Sequence, residues 1–180
     1  CKIDRDIPIV ATLDDAIGLG AEVLVLGTTP SGGRVPPEWM AMLEQAIGSG
    51  LSVVNGLHDR LNDVLGDKLK PGQWIWDIRT PTDAMPPIAM ARAAKLSNIR
   101  ALMVGTDMAV GKKTSGLEIW SALCDAGHDA AFLATGQSGV AIAGKGIPLD
   151  AFRVDHAAGA VEKMVLENAE HDVLIIEGQG

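Results

Sequence analysis

Short apolar runs alternate with amphipathic stretches along most of the chain, and glycine-rich turns commonly separate them. Runs of Val, Ile and Leu with few polar residues are typical of strands that are buried on both faces. Strands are therefore predicted at residues 7–11, 22–26, 51–54, 74–78, 100–104, 129–134 and 172–176. Strands that alternate with helices indicate a parallel sheet covered by helices, so the pattern predicts an α/β fold.

Helices are predicted between these strands from capping residues and from the spacing of apolar positions. Thr12, with Asp15 three residues later, resembles a capping box and predicts a helix that runs to Leu19. The glycine-rich stretch 135–148 is predicted to be a loop. Further helices are predicted over residues 36–47, 87–96 and 157–168, and from the loop at 105–112 to about residue 126.

A proline-rich segment, residues 79–87, holds three of the nine prolines and is predicted to link two α/β units. The predicted division is a first domain over residues 1–80, a linker with a short helix over 81–97, and a second domain over 98–180. The chain opens at Cys1 and closes just after the apolar run 173–176. Because a domain rarely stops at the tip of a central strand, we expect a fragment that is truncated at both ends.

Composition narrows the class of protein. The 180 residues carry 15 Lys and Arg against 23 Asp and Glu, a formal net charge of -8, which argues against non-specific nucleic-acid binding. No apolar run approaches the roughly 20 residues of a membrane-spanning helix, so no membrane association is expected. Two cysteines are too few for a disulfide framework, which favours a cytoplasmic protein. An apolar fraction of 47% is compatible with a homo-oligomer.

The segment from Val104 to Ser115 has the composition of a phosphate-binding loop, because it follows a predicted strand and opens a predicted helix. Glycines allow successive backbone N–H groups to converge on one anion, and the helix N-terminus adds partial positive charge. Lys112 would reach a phosphate oxygen as a point charge. The predicted cofactor-binding residues are Gly105, Thr106, Val110, Gly111, Lys112, Lys113, Thr114 and Ser115.

This loop departs from the Walker pattern in two places. Five residues instead of four separate its two glycines, and Lys113 follows Lys112 where a Ser or Thr normally holds Mg²⁺. Since one residue on a helix is about 100° of rotation, neither Thr114 nor Ser115 can be assumed to face a metal. The segment therefore predicts a phosphate site more strongly than a Mg-nucleotide site. No two His or Cys residues have ligand spacing, and no metal is predicted.

An acid follows the last apolar strand, where Glu177 comes directly after the run 173–176. Parallel sheets place ligands at the carboxyl ends of their strands, so we expect Glu177 to lie near the phosphate loop. The alternative is a strand-ending glutamate that merely faces solvent.

Five segments carry a resemblance to known families: Asn55–His58, Asp77–Arg79, the phosphate loop, Thr135–Gly139 and Ile176–Gly180. The phosphate loop and the acidic turn resemble dethiobiotin synthetase and its relatives. The whole set resembles more closely a family long catalogued only as a domain of unknown function, which includes the bacterial D-glutamate N-acetyltransferase. This resemblance implies an N-terminal Rossmann-like parallel sheet unit followed by a P-loop NTPase-like parallel α/β domain.

The same resemblance implies an activity, namely transfer of an acetyl group from acetyl-CoA, as co-substrate, to the amine of D-glutamate. The expected partner is therefore a small-molecule amino acid. Coenzyme A carries a pyrophosphate and a 3′-phosphate, and a cradle that has lost the Mg-binding hydroxyl could still hold them. Members of the family look about twice as long as this chain.

An amine that attacks a thioester needs a general base, and the developing oxyanion needs fixed N–H donors. Asp107 and Glu177 are the leading candidates for the base, because both are expected at strand ends beside the phosphates. His58, Asp155 and His156 are weaker candidates, because a histidine after a strand is commonly structural and Asp155 has the position of a helix N-cap. Asp107 has its own alternative, which is to brace its loop through hydrogen bonds to the backbone.

The two carboxylates of D-glutamate would need cations, preferably arginines that bind in bidentate fashion. Arg79 and Arg153 are the predicted substrate-binding residues, and the alternative for both is a solvated surface charge. Cys124 is expected on a core face of the helix after the phosphate loop and receives no role.

Two rival functions stay open at this point. The first is a Mg-ATP-dependent ligase or kinase of the dethiobiotin synthetase type, in which Thr114 or Ser115 would supply a hydroxyl to the metal; Lys113 argues against it. The second is a non-catalytic nucleotide- or CoA-sensing module. The absence of any basic, amphipathic or heptad docking segment gives the second rival no positive support.

Overall fold

The computed structural model of the protein describes residues 6–80 and 85–179, and the chain divides into two compact units, Lys2–Thr80 and Pro81–Gly180. These are called here the N-terminal unit and the C-terminal unit. Within the described residues, each unit is built on a parallel sheet of three strands. Residues 81–84 of the predicted linker, and both chain ends at 1–5 and 180, lie outside the described residues.

The N-terminal unit has the sheet order β1-β2-β3, with both neighbouring pairs parallel. Its strands are β1 (Val23–Val25), β2 (Ser52–Asn55) and β3 (Ile75–Asp77), and its α-helices are α1 (Leu13–Gly18), α2 (Met40–Gly48) and α3 (Asn62–Leu65). Single 3-10 turns occupy Ser31–Gly33, Pro37–Trp39 and Gly66–Lys68. The Thr12 hydroxyl accepts a hydrogen bond from the Asp15 N–H at 3.1 Å and caps α1, as the sequence predicts.

The core of this unit lies between the sheet and helix α2. Leu43, Ala46 and Ile47 recur at the spacing of one helix face and are at most 1% exposed. Leu43 and Ile47 form one buried cluster with Val53 of β2 and Ile75 of β3. Full burial of such a side chain contributes about 1.5–3 kcal/mol, so this face holds α2 in place although no polar side chain caps the helix.

The C-terminal unit has the sheet order β4-β6-β5, again with parallel pairing throughout. Its strands are β4 (Ile99–Leu102), β5 (Ala130–Leu133) and β6 (Val173–Ile176), and its α-helices are α4 (Lys112–Asp125), α5 (Gln137–Ala143) and α6 (Val154–Leu166), with 3-10 turns at Arg92–Lys95 and Leu149–Ala151. Ile176 pairs with Leu102 on one side and with Leu133 on the other, so all three strands end at one edge. The loops that follow them are thereby brought together.

Helix α6 holds the segment that precedes β4. His156 Nδ1 lies 2.5 Å from the main-chain oxygen of Pro86, and the buried Glu162 accepts hydrogen bonds from the backbone N–H groups of Met90, at 2.9 Å, and Arg92. The backbone N–H of Met90, followed by that of Arg92, holds the pKa of Glu162 below its ordinary value, although burial opposes this. Hydrogen bonds from α6 therefore fix the segment from residue 86 to residue 92, which lies within the predicted linker and short helix.

Two predicted elements are wrong, each for its own physical reason. The helix predicted over 87–96 is reduced to the 3-10 turn Arg92–Lys95, because the backbone N–H groups that a helix needs are bound by Glu162, 70 residues later than Arg92. The strand predicted over 7–11 is irregular backbone, and Ile7 and Ile9 are 66% and 101% exposed. β-branched residues favour a strand only where a neighbouring strand pairs with them.

Three further predictions need correction. Helix α6 begins at Val154, earlier than predicted, so Asp155 lies inside its first turn and Arg153 takes the N-cap position. Cys124 is exposed instead of facing the core. The stretch 135–148, predicted as a loop, contains helix α5, and the short helix α3 was not predicted at all. None of the helices in the described parts has the length and apolar character that a bilayer crossing requires.

Candidate functional site

The loop between β4 and α4 has the backbone geometry that a phosphate cradle requires. Gly111, in the N-cap position of α4, has a φ of 103°, a region that residues with a side chain rarely adopt. Ala109 also has a positive φ of 56°. A Cβ atom at Gly105 would lie 2.6 Å from Val110 Cγ2, so the loop can fold back on itself only with glycine there. The strand, loop and helix predicted here from the sequence are all present.

Lys112 and Asp107 contact each other within this loop. The Nζ atom of Lys112 donates a hydrogen bond to the main-chain oxygen of Asp107 at 2.6 Å. The Asp107 carboxylate accepts from the backbone N–H of the next residue, Met108, at 2.7 Å. This is the bracing contact that the sequence left open as the alternative role of Asp107.

A cavity of about 400 Å³ lies beside the loop at the carboxyl edge of the sheet. It is lined by Ala109, Gly111, Lys112, Lys113, Thr114, Gly136, Gln137, Ser138, Glu177, Gly178 and Gln179. The lining combines two lysines and the first residues of the 14-residue helix α4, whose dipole favours an anion at this end. The cavity can therefore receive a phosphate group.

Glu177 lies within this lining and is only 5% exposed. Its Oε2 atom accepts hydrogen bonds from the backbone N–H groups of Thr135, at 2.9 Å, and Gly136, at 3.0 Å. The Thr135 hydroxyl donates in turn to the main-chain oxygen of Glu177 at 2.7 Å. The carboxylate thus joins the end of β6 to the turn between β5 and α5, and it lies near the phosphate loop as the sequence predicts.

The predicted cofactor-binding residues divide into two groups in the structure. Gly111, Lys112, Lys113 and Thr114 line the cavity. The described lining does not include the other four, Gly105, Thr106, Val110 and Ser115, which belong to the same loop or to the first turn of α4. Asp107, which was predicted as a base, is likewise outside the described lining. Of the two hydroxyl residues that the sequence left open as metal ligands, Thr114 lines the cavity and Ser115 is outside its described lining.

Sequence reasoning gave no role to the segment that forms the opposite wall. Gln137 and Ser138 line the cavity from the start of α5, and Gln179 lines it from the residues after β6. Gln179 Nε2 donates to the Thr135 hydroxyl at 3.0 Å. The Thr135–Gly139 segment is one of those that carry the family resemblance, but its glycines indicate a loop. The short helix that forms there is held by contacts with distant residues.

The described lining of the cavity includes neither of the two predicted carboxylate clamps. Arg153, exposed, precedes α6, and the described lining of the cavity does not include it. Arg79 belongs to the N-terminal unit, where its Nε atom donates to the main-chain oxygen of Gly56 at 2.7 Å. Asp155 is exposed, and His156 is engaged with the main-chain oxygen of Pro86. Among the described residues, no group of three or more His, Cys, Asp or Glu side chains is placed to hold a metal.

Two separate family models match the N-terminal and the C-terminal part of the chain. A model described as the P-loop domain of a domain of unknown function, DUF1611_C, matches residues 87–180, and a Rossmann-like domain, DUF1611_N, matches residues 1–81. The expected order of a Rossmann-like unit and a P-loop domain is confirmed. Among solved structures, a DUF1611 family protein from Anabaena variabilis ATCC 29413 is 45% identical with a TM-score of 0.92, and the match covers 99% of this chain and 52% of that one.

Two curated relatives carry a functional name. The chain is 36% identical over 172 residues to a protein named D-glutamate N-acetyltransferase from Tritonibacter scottomollicae, covering 94% of this chain and 51% of that protein. It is 36% identical over 169 residues to a protein of the same name from Pseudoalteromonas sp., covering 92% of this chain and 50% of that protein. The chain thus spans about half the length of the curated relatives it matches.

Proposed function

The chain belongs to the DUF1611 family, and from that premise we propose that it forms part of an N-acetyltransferase. The proposed reaction moves the acetyl group of acetyl-CoA to the amine of D-glutamate and gives N-acetyl-D-glutamate. The names of the two relatives support N-acetylation of D-glutamate, at 36% identity over nearly the whole chain. The match covers about half of each relative, so the activity is a proposal for the whole protein.

The cavity beside the phosphate loop is the observation that carries the proposal. Lys112 and Lys113 both line it, next to the N-terminus of α4. Coenzyme A carries a pyrophosphate and a 3′-phosphate, and charge-assisted hydrogen bonds from two lysines and a helix N-terminus suit such anions. A second lysine at the position that normally supplies the Mg²⁺ ligand favours phosphate neutralisation by the protein over neutralisation by a metal.

Acetyl transfer requires three actions from the protein. The neutral amine attacks the thioester carbonyl, a C–N bond forms, and the C–S bond breaks with the electron pair leaving on sulfur. The proton lost by the amine passes through a base and ends on the CoA thiolate. The protein must therefore bind the phosphates, accept this proton and stabilise the oxyanion with N–H donors.

Glu177 is the better placed of the two proposed bases. It lines the cavity, whereas Asp107 is outside the described lining and its carboxylate bonds to its own loop. One oxygen of Glu177, Oε2, is held by two backbone N–H groups. We assign the proton transfer to the other oxygen, Oε1, because the two contacts of Oε2 fix the orientation of the carboxylate.

A second candidate function is supported by Thr114. Its place in the cavity lining offers the hydroxyl that a Mg-ATP-dependent ligase or kinase of the dethiobiotin synthetase type would need. In that case the hydroxyl would serve Mg²⁺, and Thr114→Val would weaken ATP binding only when Mg²⁺ is present. For the acetyltransferase, the same variant would leave acetyl-CoA binding independent of Mg²⁺.

Calorimetric titration of the full-length protein with acetyl-CoA and with ATP, each with and without Mg²⁺, distinguishes these functions. The acetyltransferase predicts micromolar acetyl-CoA binding that does not change with Mg²⁺, together with weak ATP binding. Tight ATP binding that requires Mg²⁺, without acetyl-CoA binding, would contradict it and support the ligase or kinase. Tight acetyl-CoA binding without thiol release in the presence of any amine would favour a sensing module.

A further inference from the structure

The side chain of Gln179 belongs to a small polar network at the cavity of the C-terminal unit. Gln179 follows shortly after β6 and lines the cavity together with Glu177. Its Nε2 atom donates to the Thr135 hydroxyl at 3.0 Å, and that hydroxyl donates to the main-chain oxygen of Glu177 at 2.7 Å. The network therefore joins the residues after β6 to the turn after β5.

The Thr135 hydroxyl determines how the amide of Gln179 is oriented. A hydroxyl has a single hydrogen, and here that hydrogen is bound to the main-chain oxygen of Glu177. The group of Gln179 that meets the hydroxyl must therefore be an N–H, which leaves the carbonyl oxygen Oε1 as an acceptor. Within the described parts of the chain, no N–H donates to this Oε1 atom.

Two glycines make room for the polar side chains that follow β6. A Cβ atom at Gly136 would stand 2.7 Å from Nε2 and 3.1 Å from Oε1 of Gln179. A Cβ atom at Gly139 would meet the Glu177 carboxylate in the same way. Thr135, directly before this segment, is only 1% exposed, so the network has a buried anchor. The amide and the carboxylate are therefore both held against one short stretch of backbone.

The cavity thus has two oxygen acceptors on neighbouring side chains. The Oε2 atom of Glu177 is held by two backbone N–H groups, which leaves its Oε1 atom for a ligand, and Gln179 adds its own Oε1. Two acceptors suit a ligand group that has at least two N–H bonds, and the carboxylate favours one that carries positive charge. A primary amine and its ammonium form have this chemistry, whereas a hydroxyl has only one hydrogen.

An amine that attacks a thioester must aim its lone pair at the carbonyl carbon. A neutral primary amine has two N–H bonds beside that lone pair, so acceptors for both N–H groups fix the direction of attack. With Glu177 on one N–H and Gln179 on the other, the lone pair is left to form the C–N bond. The N–H bound to Glu177 supplies the proton that ends on the CoA thiolate.

We propose that Gln179 binds the amine of the amino-acid substrate through Oε1 and makes the cavity selective for primary amines over hydroxyl compounds. The assignment rests on the proposed function for the reaction, whereas the orientation of the amide rests on contacts within the C-terminal unit. Gln179 is the residue that touches the substrate, and Thr135 is a positioning residue that acts through Gln179.

A comparison of D-glutamate with glutarate isolates the contribution of the amine, because glutarate has the two carboxylates but no amine. The full-length protein is titrated with each compound in the presence of CoA, which has no acetyl group to transfer. We expect the parent protein to prefer D-glutamate, and Gln179→Met to reduce this preference about tenfold, which corresponds to one hydrogen bond to a charged group. The affinity for glutarate should not change, whereas general damage to the cavity would weaken both ligands alike.

Three further titrations complete this test. Gln179→Glu keeps an oxygen acceptor, so the preference for D-glutamate should persist in it, and 2-hydroxyglutarate should bind to the parent protein no more tightly than glutarate. Gln45→Met is the matched control, because the exposed Gln45 donates to Asp14 at 3.0 Å in the N-terminal unit.

Several results would overturn the proposal. One is a parent protein that does not prefer D-glutamate to glutarate, and another is a preference that Gln179→Met leaves unchanged. A preference lost equally in the Met and Glu variants would assign the ligand to Nε2 instead of Oε1. Binding of 2-hydroxyglutarate as tight as that of D-glutamate would contradict the selectivity for amines.

Substitution of Thr135 tests its positioning role through the same ratio of affinities. Thr135→Val removes the hydroxyl that holds the Gln179 amide, and Thr135→Ser keeps it. We expect the preference for D-glutamate to fall several-fold in the Val variant and to persist in the Ser variant. Equal preferences in the two variants would overturn this role. Because Thr135 is buried, urea denaturation of both variants shows that each is folded, and Gln179→Met tests the site without altering the buried anchor.

The two proposals fail in different ways. A preference for D-glutamate that depends on Gln179, in a protein that releases no CoA thiol from acetyl-CoA and D-glutamate, contradicts the acetyltransferase and keeps the amine site. Thiol release with D-glutamate, at a KM and a kcat that Gln179→Met does not change, keeps the acetyltransferase and rejects the role of Gln179.

Discussion

A Cβ atom at Gly139 would stand 2.2 Å from Oε2 of Glu177, so helix α5 passes this carboxylate only because residue 139 is glycine. The same oxygen accepts hydrogen bonds from the backbone of Thr135 and Gly136. One carboxylate therefore fixes the distance between the end of β6 and the start of α5, which form two walls of the cavity. Binding geometry and fold stability are coupled at this contact.

Replacement of Gly139 by alanine should displace the Glu177 side chain from its two backbone donors. Each lost hydrogen bond to a charged group corresponds to about 1.5–3 kcal/mol, so we expect the free energy of unfolding to fall by at least that amount and turnover to fall with it. Urea denaturation and a CoA-release assay measure the two effects. Gly48→Ala is the control, because a Cβ there meets no atom within 4 Å and alanine stabilises a helix by about 1 kcal/mol. Equal stability of Gly139→Ala and the parent protein would contradict the contact.

The substitution Glu177→Gln distinguishes a catalytic base from a residue that only holds the fold through hydrogen bonds. The amide oxygen of glutamine can still accept from the Thr135 and Gly136 N–H groups, so we expect only a small loss of stability and an unchanged affinity for acetyl-CoA. A base is lost, however, and kcat should fall by about 10²–10⁴-fold, the usual contribution of general base catalysis. Affinity for acetyl-CoA and turnover are measured on the same preparation. Reduced affinity with normal turnover at saturation would contradict the role of base and make Glu177 a binding residue.

The sequence predicts the phosphate loop well because its signals are local. Glycines, a lysine and the change from a strand to a helix all fall within residues 104–115. Helix α5 is not predicted because it depends on a contact between residues far apart in sequence. Gly139 by itself indicates a helix breaker, whereas in the structure Glu177 fills the space that a side chain at residue 139 would occupy. The cavity is lined by both kinds of segment, so the sequence predicts the lining from the phosphate loop but gives no role to Gln137, Ser138 and Gln179.

Lys112→Ala should weaken binding of the phosphate-bearing ligand. Loss of one charge-assisted hydrogen bond corresponds to about 1.5–3 kcal/mol, or roughly 10- to 150-fold in Kd. Calorimetric titration with acetyl-CoA measures it. Lys68→Ala serves as the control, because the Lys68 amine forms a surface pair with Glu44 at 2.6 Å in the N-terminal unit. An affinity that survives Lys112→Ala would remove this lysine from the binding site.

Acidic pH should weaken the hydrogen bonds by which Glu162 of α6 binds the segment before β4. The pKa of Glu162 is lowered in the folded protein, chiefly by the N–H of Met90, so its contribution to stability is complete above the ordinary pKa of 4.5 and declines as the pH falls below it. Glu162→Gln should therefore be less stable than the parent protein at neutral pH, with a gap that narrows in acid. Urea denaturation between pH 3 and 7 (about the range a glutamate titrates in) measures this.

The matched control for that series is Glu167→Gln. Glu167 is the C-cap residue of the same helix and forms an exposed pair with Lys163 at 3.7 Å, and exposed pairs contribute about 0–1 kcal/mol. A gap between Glu162→Gln and the parent that stays constant with pH would contradict the account.

Contacts between residues far apart in sequence also explain why the helix predicted over 87–96 is wrong and why helix α3 is not predicted. The alanine-rich residues 87–96 have helical propensity, but Glu162 binds the backbone N–H groups there, and tertiary contacts override propensity. Helix α3 is short and polar at its start, and Asp77 fixes it by accepting from two successive backbone N–H groups, those of Leu61 and Asn62. Neither carboxylate is near its partner in sequence, so no local pattern reveals the contact.

The most direct test of the central claim is thiol release by the full-length protein supplied with acetyl-CoA and D-glutamate, followed by mass spectrometry of the product. The account predicts one equivalent of CoA thiol for each N-acetyl-D-glutamate formed, with turnover that does not require Mg²⁺ and that falls in Lys112→Ala when acetyl-CoA is below saturation. Absence of thiol release above the rate without protein, at saturating concentrations of both substrates, would contradict it.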